Sequence, residues 1–144
     1  MGVRIRRLRA GDVAAVVGIE RRITGSRRTS ALGRYLRRAL RTREGICLVA
    51  EVDGEAAGFI VGDVRPWEFG EDREVAWVKV VGVDPRHQGE GLGRRMGEQF
   101  VAELRRKGIR RAKTLVEWDS GDLVAYFQSL GFDRSGAIVL ERTV

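Results

Sequence analysis

Val75-Ala76-Trp77-Val78-Lys79-Val80-Val81-Gly82-Val83-Asp84-Pro85-Arg86-His87-Gln88-Gly89-Glu90-Gly91-Leu92-Gly93-Arg94-Arg95 is the stretch that decides the fold. Its first nine residues are apolar and rich in β-branched side chains, which predicts a buried or half-buried strand. Pro85 cannot donate to a ladder and ends it. From Leu92 the pattern turns helical: Leu92, Met96, Phe100 and Leu104 recur on one face. Gly108 stands where a glycine commonly closes a helix.

Strand, glycine-rich turn and helix N-terminus in succession are what an anionic phosphate needs. Backbone N–H groups point outward there, and the helix dipole adds partial positive charge. Gly89, Gly91 and Gly93 let a bulky pyrophosphate approach without meeting a Cβ. The bland alternative is a turn that uses glycine only for tightness. Two nucleotide motifs fail on spacing. A dinucleotide fingerprint needs G-x-G-x-x-G early in a βαβ unit, and no such unit precedes this run. A P-loop needs Lys-Ser/Thr after its last glycine, and neither follows.

The segment resembles the acyl-CoA-binding motif of the GCN5-related N-acetyltransferases, the GNAT superfamily. That family's Q/R-x-x-G-x-G/A is matched by Gln88-Gly89-Glu90-Gly91-Leu92-Gly93, and its preceding V-x-P by Val83-Asp84-Pro85.

The totals agree with a chain of this kind. At 144 residues, with 43% hydrophobic and 33% charged side chains, one soluble globular domain over residues 1–144 is expected. No run approaches the ~18 apolar residues of a membrane span, and the basic start has no signal-like apolar stretch behind it. A cytoplasmic protein is the expectation. Cys47 is the single cysteine, so no internal disulfide and no thiolate metal cluster is expected; its apolar neighbours make it a core thiol. Net charge is +7, carried almost wholly by arginine, since Lys79, Lys107 and Lys113 are the only lysines. A basic surface suits CoA phosphates, acidic peptides or nucleic acid. Nucleic acid is disfavoured, because no stacking motif or recognition helix accompanies the charge.

In chain order, Val3–Leu8 reads as a first strand, and Asp12 is placed to cap a helix from Val13 to about Ile23. In that helix Glu20 falls on the same spacing as Val13, Val16 and Val17. Ser30 is placed to cap a second helix with Leu32, Leu36 and Leu40 on one face. Ile46–Val52 and Ala57–Val64 are strands joined by an Asp53-Gly54 hairpin turn. Arg65–Asp72 is a loop whose Trp67 and Phe69 either line a substrate entrance or cover the sheet. Ala112–Trp118 is β-rich, Asp119–Asp122 starts a last helix that Gly131 caps, and Ala137–Val144 alternates as a final strand. The order β-α-α-β-β-β-α-β-α-β is the GNAT topology: an α/β (α+β) fold with a mixed, mostly antiparallel sheet of about six to seven strands and about four helices. Leu130-Gly131-Phe132 resembles the family's second signature.

The resemblance implies specific roles. The fourth and fifth strands would splay apart and admit the pantetheine arm of acetyl-CoA, paired to the main chain of Val81, Gly82 and Val83. Gln88, Gly89, Glu90, Gly91, Leu92, Gly93 and Arg94 would surround the pyrophosphate, with Ser120 and Phe127 also on the cofactor. The implied reaction is direct attack of a primary amine on the thioester in a ternary complex. That chemistry needs a proton acceptor, oxyanion stabilisation and a donor for the thiolate. Two departures stand out. Where many members carry a tyrosine acid this chain has Phe127, and Tyr126 is about 100° around the helix. Where some carry a carboxylate base it has Trp77. Glu117 is therefore the expected base and Tyr126 the expected acid. Trp67, Glu68 and Trp77 are candidates for the acceptor side. His87 lies at the phosphate end, and no metal ligand set is expected. A homodimer is compatible with this reading. A non-catalytic acyl-CoA-binding module of the same fold is the alternative.

Overall fold

The computed structural model describes residues 2–25, 29–65, 73–117 and 119–144. Five strands form one sheet in simple order: β1 (Val3–Arg7), β2 (Gly45–Val52), β3 (Glu55–Arg65), β4 (Val75–Val83) and β5 (Ala112–Thr114). The first four pair antiparallel, and β5 runs parallel to β4. Two helices, α1 (Val13–Thr24) and α2 (Thr29–Ala39), connect β1 to β2; α3 (Leu92–Arg106) and α4 (Gly121–Ser129) flank β5.

Both faces of the sheet are covered, which explains why β2 reads as an unbroken apolar run. Leu48 and Ala50 join Met96, Phe100 and Leu104 of α3. Cys47 and Val49 point the other way, against Val16, Ile19 and Leu36 of α1 and α2. Burial pushes the Cys47 thiol up to about 11, as suits a core side chain. The Asp53-Gly54 hairpin forms as expected, and Asp53 Oδ1 accepts the Gly2 N–H at 2.9 Å.

Three expectations need correction. Ala137–Val144 is no strand: Ile138 is 82% and Leu140 85% exposed. With β5 cut to Ala112–Thr114, the sheet has five strands among the described residues. Alternation supplies strand propensity, but a strand exists only where a neighbouring edge accepts its hydrogen bonds. Asp12 is the N-cap residue of α1 as expected, but its side chain makes no bond to that helix. Its carboxylate instead takes the Arg9 N–H at 2.8 Å and the Arg6 guanidinium at 2.8 Å, closing a short 3₁₀ turn ahead of α1. Ser30 lies within the first turn of α2.

A candidate cofactor cleft between strands four and five

The core packing breaks step inside β4. Ala76 and Val78 face the α3 side, Val80 faces α1 and α2, and Val81 and Val83 face α3 again. Residues 78 and 80 should share a face in a regular strand. They do not, because Lys79 is bulged: Val78 pairs with Gly62 and Val80 with Val61, leaving Lys79 without a partner on β3. The Lys79 ammonium rests 5.8 Å from the centroid of the Trp77 ring.

Below the bulge β4 pairs with β5 at Ala76–Ala112, Trp77–Lys113 and Val78–Thr114. Thr114 Oγ1 adds a bond to the Val78 carbonyl at 3.0 Å. Above it the pairing stops. Val80–Val83 continue to pair with β3, while their other edge meets no described strand. Residues Leu115–Glu117 follow without ladder pairing, and Glu117, exposed, lies as many residues past the last pair as Val81 does. Two strands that begin together and part leave main-chain donors and acceptors of Val81, Gly82 and Val83 along an open slot.

The turn at the end of that slot is held rigidly. Asp84 is fully buried, and its carboxylate accepts from Arg22 Nη2 at 2.7 Å and Arg86 Nη2 at 2.8 Å. It also takes the Arg86 backbone N–H at 3.0 Å, which caps the 3₁₀ turn Pro85–His87. The Arg86 hydrogen bond, aided by Arg22, holds the Asp84 carboxyl well below the usual carboxylate range although burial opposes this. Gly89 and Gly91 then adopt φ of 82° and 78°, the left-handed region where a side chain is strained. Gly91 is the N-cap of α3 and no side chain caps that helix; the Arg95 N–H is the one that reaches back to the Gly91 carbonyl, at 3.2 Å. The amides of Leu92, Gly93 and Arg94 precede it and have no intrahelical acceptor.

Side chains around the turn are turned elsewhere. Leu92 is in the core. Gln88 is exposed, and Arg94 pairs with Glu98 at 3.0 Å on the surface. The Glu90 carboxylate lies 3.0 Å from His87 Nδ1, drawn back along the turn. What the turn leaves open is main chain, at the glycines the sequence singled out.

On the far wall, α4 sits unusually close to α3. A Cβ at Gly97 would overlap Leu130 and come within 2.8 Å of Tyr126 Oη; one at Gly93 would lie 3.3 Å from the Tyr126 ring. This notch admits Tyr126, whose hydroxyl donates to the Gly93 carbonyl at 2.7 Å. Burial pushes its pKa up to about 12. Phe127 is buried at 5% exposure between the rings of Tyr126 and Phe132, centroids 5.0 and 5.1 Å away. Ser120 is the N-cap of α4, and its N–H donates to the Glu117 carbonyl at 3.0 Å. Trp77 is half-buried beside β5. Trp67 and Glu68 lie outside the described residues.

Two groups near the cleft escaped selection in the sequence. Asp84 was only the middle residue of Val83-Asp84-Pro85, and its clamp to Arg22 is a contact across 62 positions that no local pattern encodes. Glu20 is 1% exposed on α1, one turn before Ile23, whose side chain covers Gly82. Its signal was visible, since an acid fell on an apolar helical stripe. Among the described residues no group of three or more His, Cys, Asp or Glu side chains is arranged to hold a metal ion.

Comparison with known proteins accords with this architecture. The model of the acetyltransferase (GNAT) family matches residues 13–132. A mycothiol acetyltransferase from Amycolatopsis mediterranei is 41% identical over 101 residues, covering 68% of this chain and 33% of that protein. An L-2,4-diaminobutyric acid acetyltransferase from Nocardia farcinica is 29% identical over 94 residues, 65% of this chain and 47% of that one. The chain spans about a third of the length of the mycothiol acetyltransferases it matches. Among solved structures, aminoglycoside N-acetyltransferase AAC(6')-Iy in complex with CoA superposes with a TM-score of 0.83 at 18% identity, over 99% of this chain and 95% of that one. A transcriptional regulator from Bacillus halodurans reaches 0.83 at 16% identity, over 99% of this chain and all of its own. Fold, cleft and family model converge: the chain belongs to the acetyltransferase (GNAT) family.

Proposed function

We propose that this protein transfers an acetyl group from acetyl-CoA to a primary amine by direct attack in a ternary complex. The observation that carries the proposal is the end of β4–β5 pairing at Val78 and Thr114, which opens the main chain of Val81–Val83 directly below a capless helix N-terminus. In this reading Val81, Gly82 and Val83 pair with the pantetheine amides and hold the thioester carbonyl. The Gly89–Arg94 amides receive the pyrophosphate, and Gln88, Ser120 and Phe127 border the cofactor. The names of the relatives share acetyl transfer and differ in acceptor, which supports the reaction class without choosing the amine.

The chemistry asks little of side chains. The amine nitrogen bonds to the thioester carbon, the C–S bond breaks, and CoA leaves as a thiolate. Glu117, across the slot from Val81, takes the ammonium proton through water. Tyr126, held near pKa 12, is too weak an acid to protonate a thiolate outright. Its proposed part is a hydrogen bond to sulfur, made by exchanging the Gly93 carbonyl. Positioning in the slot supplies much of the acceleration. The acceptor enters from the α1–α2 side past Trp77; Trp67 and Glu68 are assigned to the acceptor by the sequence alone. We place the protein in the cytoplasm and as a homodimer; no helix among the described residues is long and apolar enough to cross a membrane.

A second reading has its own support. Phe127, buried and protonless, stands where many members carry an acid, and Trp77 where some carry a base. These favour a non-catalytic acyl-CoA-binding module. Calorimetry with acetyl-CoA on the native chain and Gly91→Glu tests the seat: tight binding lost in the variant is expected. No binding by a folded native chain sinks both readings. Amine-dependent CoA release then rejects the module, and binding without release on a broad amine panel rejects the enzyme.

A further inference from the structure

Lys79 stands at the threshold of the cleft. The β4–β5 ladder ends at Val78 and Thr114, so Lys79 is the first residue of the open stretch. The bulge leaves it without a partner on β3, and its side chain is exposed. Its ammonium rests on the Trp77 ring, 5.8 Å from the centroid, and forms no ion pair among the described residues. A contact of this kind at an exposed site holds an ammonium only weakly.

The reach into the slot is short. Val81, two residues on, lies about 7 Å along the strand, a distance that a lysine's flexible four-carbon stem nearly spans. The thioester carbonyl assigned to the main chain of Val81, Gly82 and Val83 is therefore close to a primary amine that the chain itself supplies. The other two lysines are placed differently. Lys107 ends α3, about 22 Å along that 15-residue helix from the glycine turn. Lys113 lies on the closed part of the ladder, level with Trp77.

We propose that Lys79 is a site of self-acetylation, taking the acetyl group from acetyl-CoA bound to its own chain. The inference rests on the acetyl-CoA seat proposed above and adds an internal acceptor to it. The neutral Lys79 Nζ bonds to the thioester carbon, and the C–S bond breaks with its electron pair going to sulfur. CoA leaves as the thiolate, and the proton lost by nitrogen passes to water. The product, Nε-acetyllysine, carries no charge. A neutral amide then stands beside Trp77 in place of a cation, on the side where the acceptor enters.

Incubating the native chain with saturating acetyl-CoA and mapping its tryptic peptides tests the proposal. Acetylation blocks cleavage at Lys79, so residues 74–86 are expected as one uncut peptide. Lys79 should carry more than about tenfold the acetyl found on Lys107 or Lys113, as a held amine does over a free one. The half-time should not change when the protein is diluted. Excess dethio-CoA, which fills the seat but carries no thioester, should remove the preference for Lys79. Equal acetylation of the three lysines, a half-time that lengthens on dilution, or indifference to dethio-CoA overturns the proposal. Bromoacetyl-CoA gives a readout without acetyl transfer, since a nearby amine displaces its bromide and keeps the CoA attached. Labelling at Lys79, lost in Lys79→Arg, is expected; labelling elsewhere overturns the placement. Acetyl-CoA binding in calorimetry with no acetyl on Lys79 overturns self-acetylation alone, whereas no binding removes the seat as well.

Discussion

Residues 75–107 and residues 112–144 face each other across one opening and are built in opposite ways. The first region has a nine-residue strand paired along β3, a doubly clamped carboxylate at its turn, and a 15-residue helix that buries Leu92, Met96, Phe100 and Leu104. The second has a three-residue strand, a nine-residue helix with Phe127 as its one buried residue, and an exposed arm. A phosphate seat made of amides, as proposed for Gly89–Arg94, must be rigid in the chain that owns it, and the first region is held by its clamped turn and buried helix face. The wall opposite borrows its order from the Gly93–Gly97 notch.

The contrast is open to attack at three points. The largest effect is expected from Gly97→Val, whose side chain would collide with Leu130 and Tyr126. Overpacking of this kind costs about 3 kcal/mol. Denaturant melts should show the loss, and hydrogen exchange should show α4 deprotected before β2 and β3. Equal deprotection of both regions would mean that they form one cooperative unit and that the contrast is false.

Asp84→Asn attacks the rigid side. Its arginine partners are 44% and 67% exposed, so water can solvate them once the charge is gone. The expected cost is about 1–2 kcal/mol. The folded carboxyl is depressed, so its contribution is fully present above the unfolded pKa of about 3.9 and is lost as pH falls through that value toward the folded one. Melting temperatures of the native chain and the variant should therefore converge below about pH 4. A constant gap across that range would remove Asp84 as the source.

Tyr126→Phe should have the smallest effect, about 1 kcal/mol for the lost bond to the Gly93 carbonyl. If the hydroxyl also steadies the leaving sulfur, kcat should fall by less than about tenfold while KM for acetyl-CoA holds. A far larger fall in kcat would make Tyr126 a true acid and sharpen the role of the second region.

How much of this was readable in the letters follows the same divide. Strand, glycine turn and α3 were legible because local chemistry specifies them: β-branched run, proline stop, glycines at Gly89 and Gly91, apolar spacing from Leu92 to Leu104. The left-handed turn at Gly89 and Gly91 and the helix start without a side-chain cap were legible for the same reason. Ala137–Val144 misled because alternation reports a strand's composition and is silent about which edge receives it. The Arg22–Asp84–Arg86 clamp was invisible, since its members are far apart in sequence. Tyr126 was selected for its proton, and its place in the α3 notch depends on two residues, Gly93 and Gly97, whose contribution is the absence of a side chain.

The bulge in β4 has one more implication, which is a matter of counting. With Lys79 removed, Ala76, Val78, Val81 and Val83 would still face α3, and Trp77, Val80 and Gly82 would still face the opposite side, in unbroken alternation. Lys79 is thus a supernumerary residue: the hydrophobic pattern is complete without it. What it adds is one residue of register between β4 and β3. The extra residue falls immediately after Val78, the last residue of β4 that pairs with β5, so the shift of faces and the end of the parallel pairing coincide at one position.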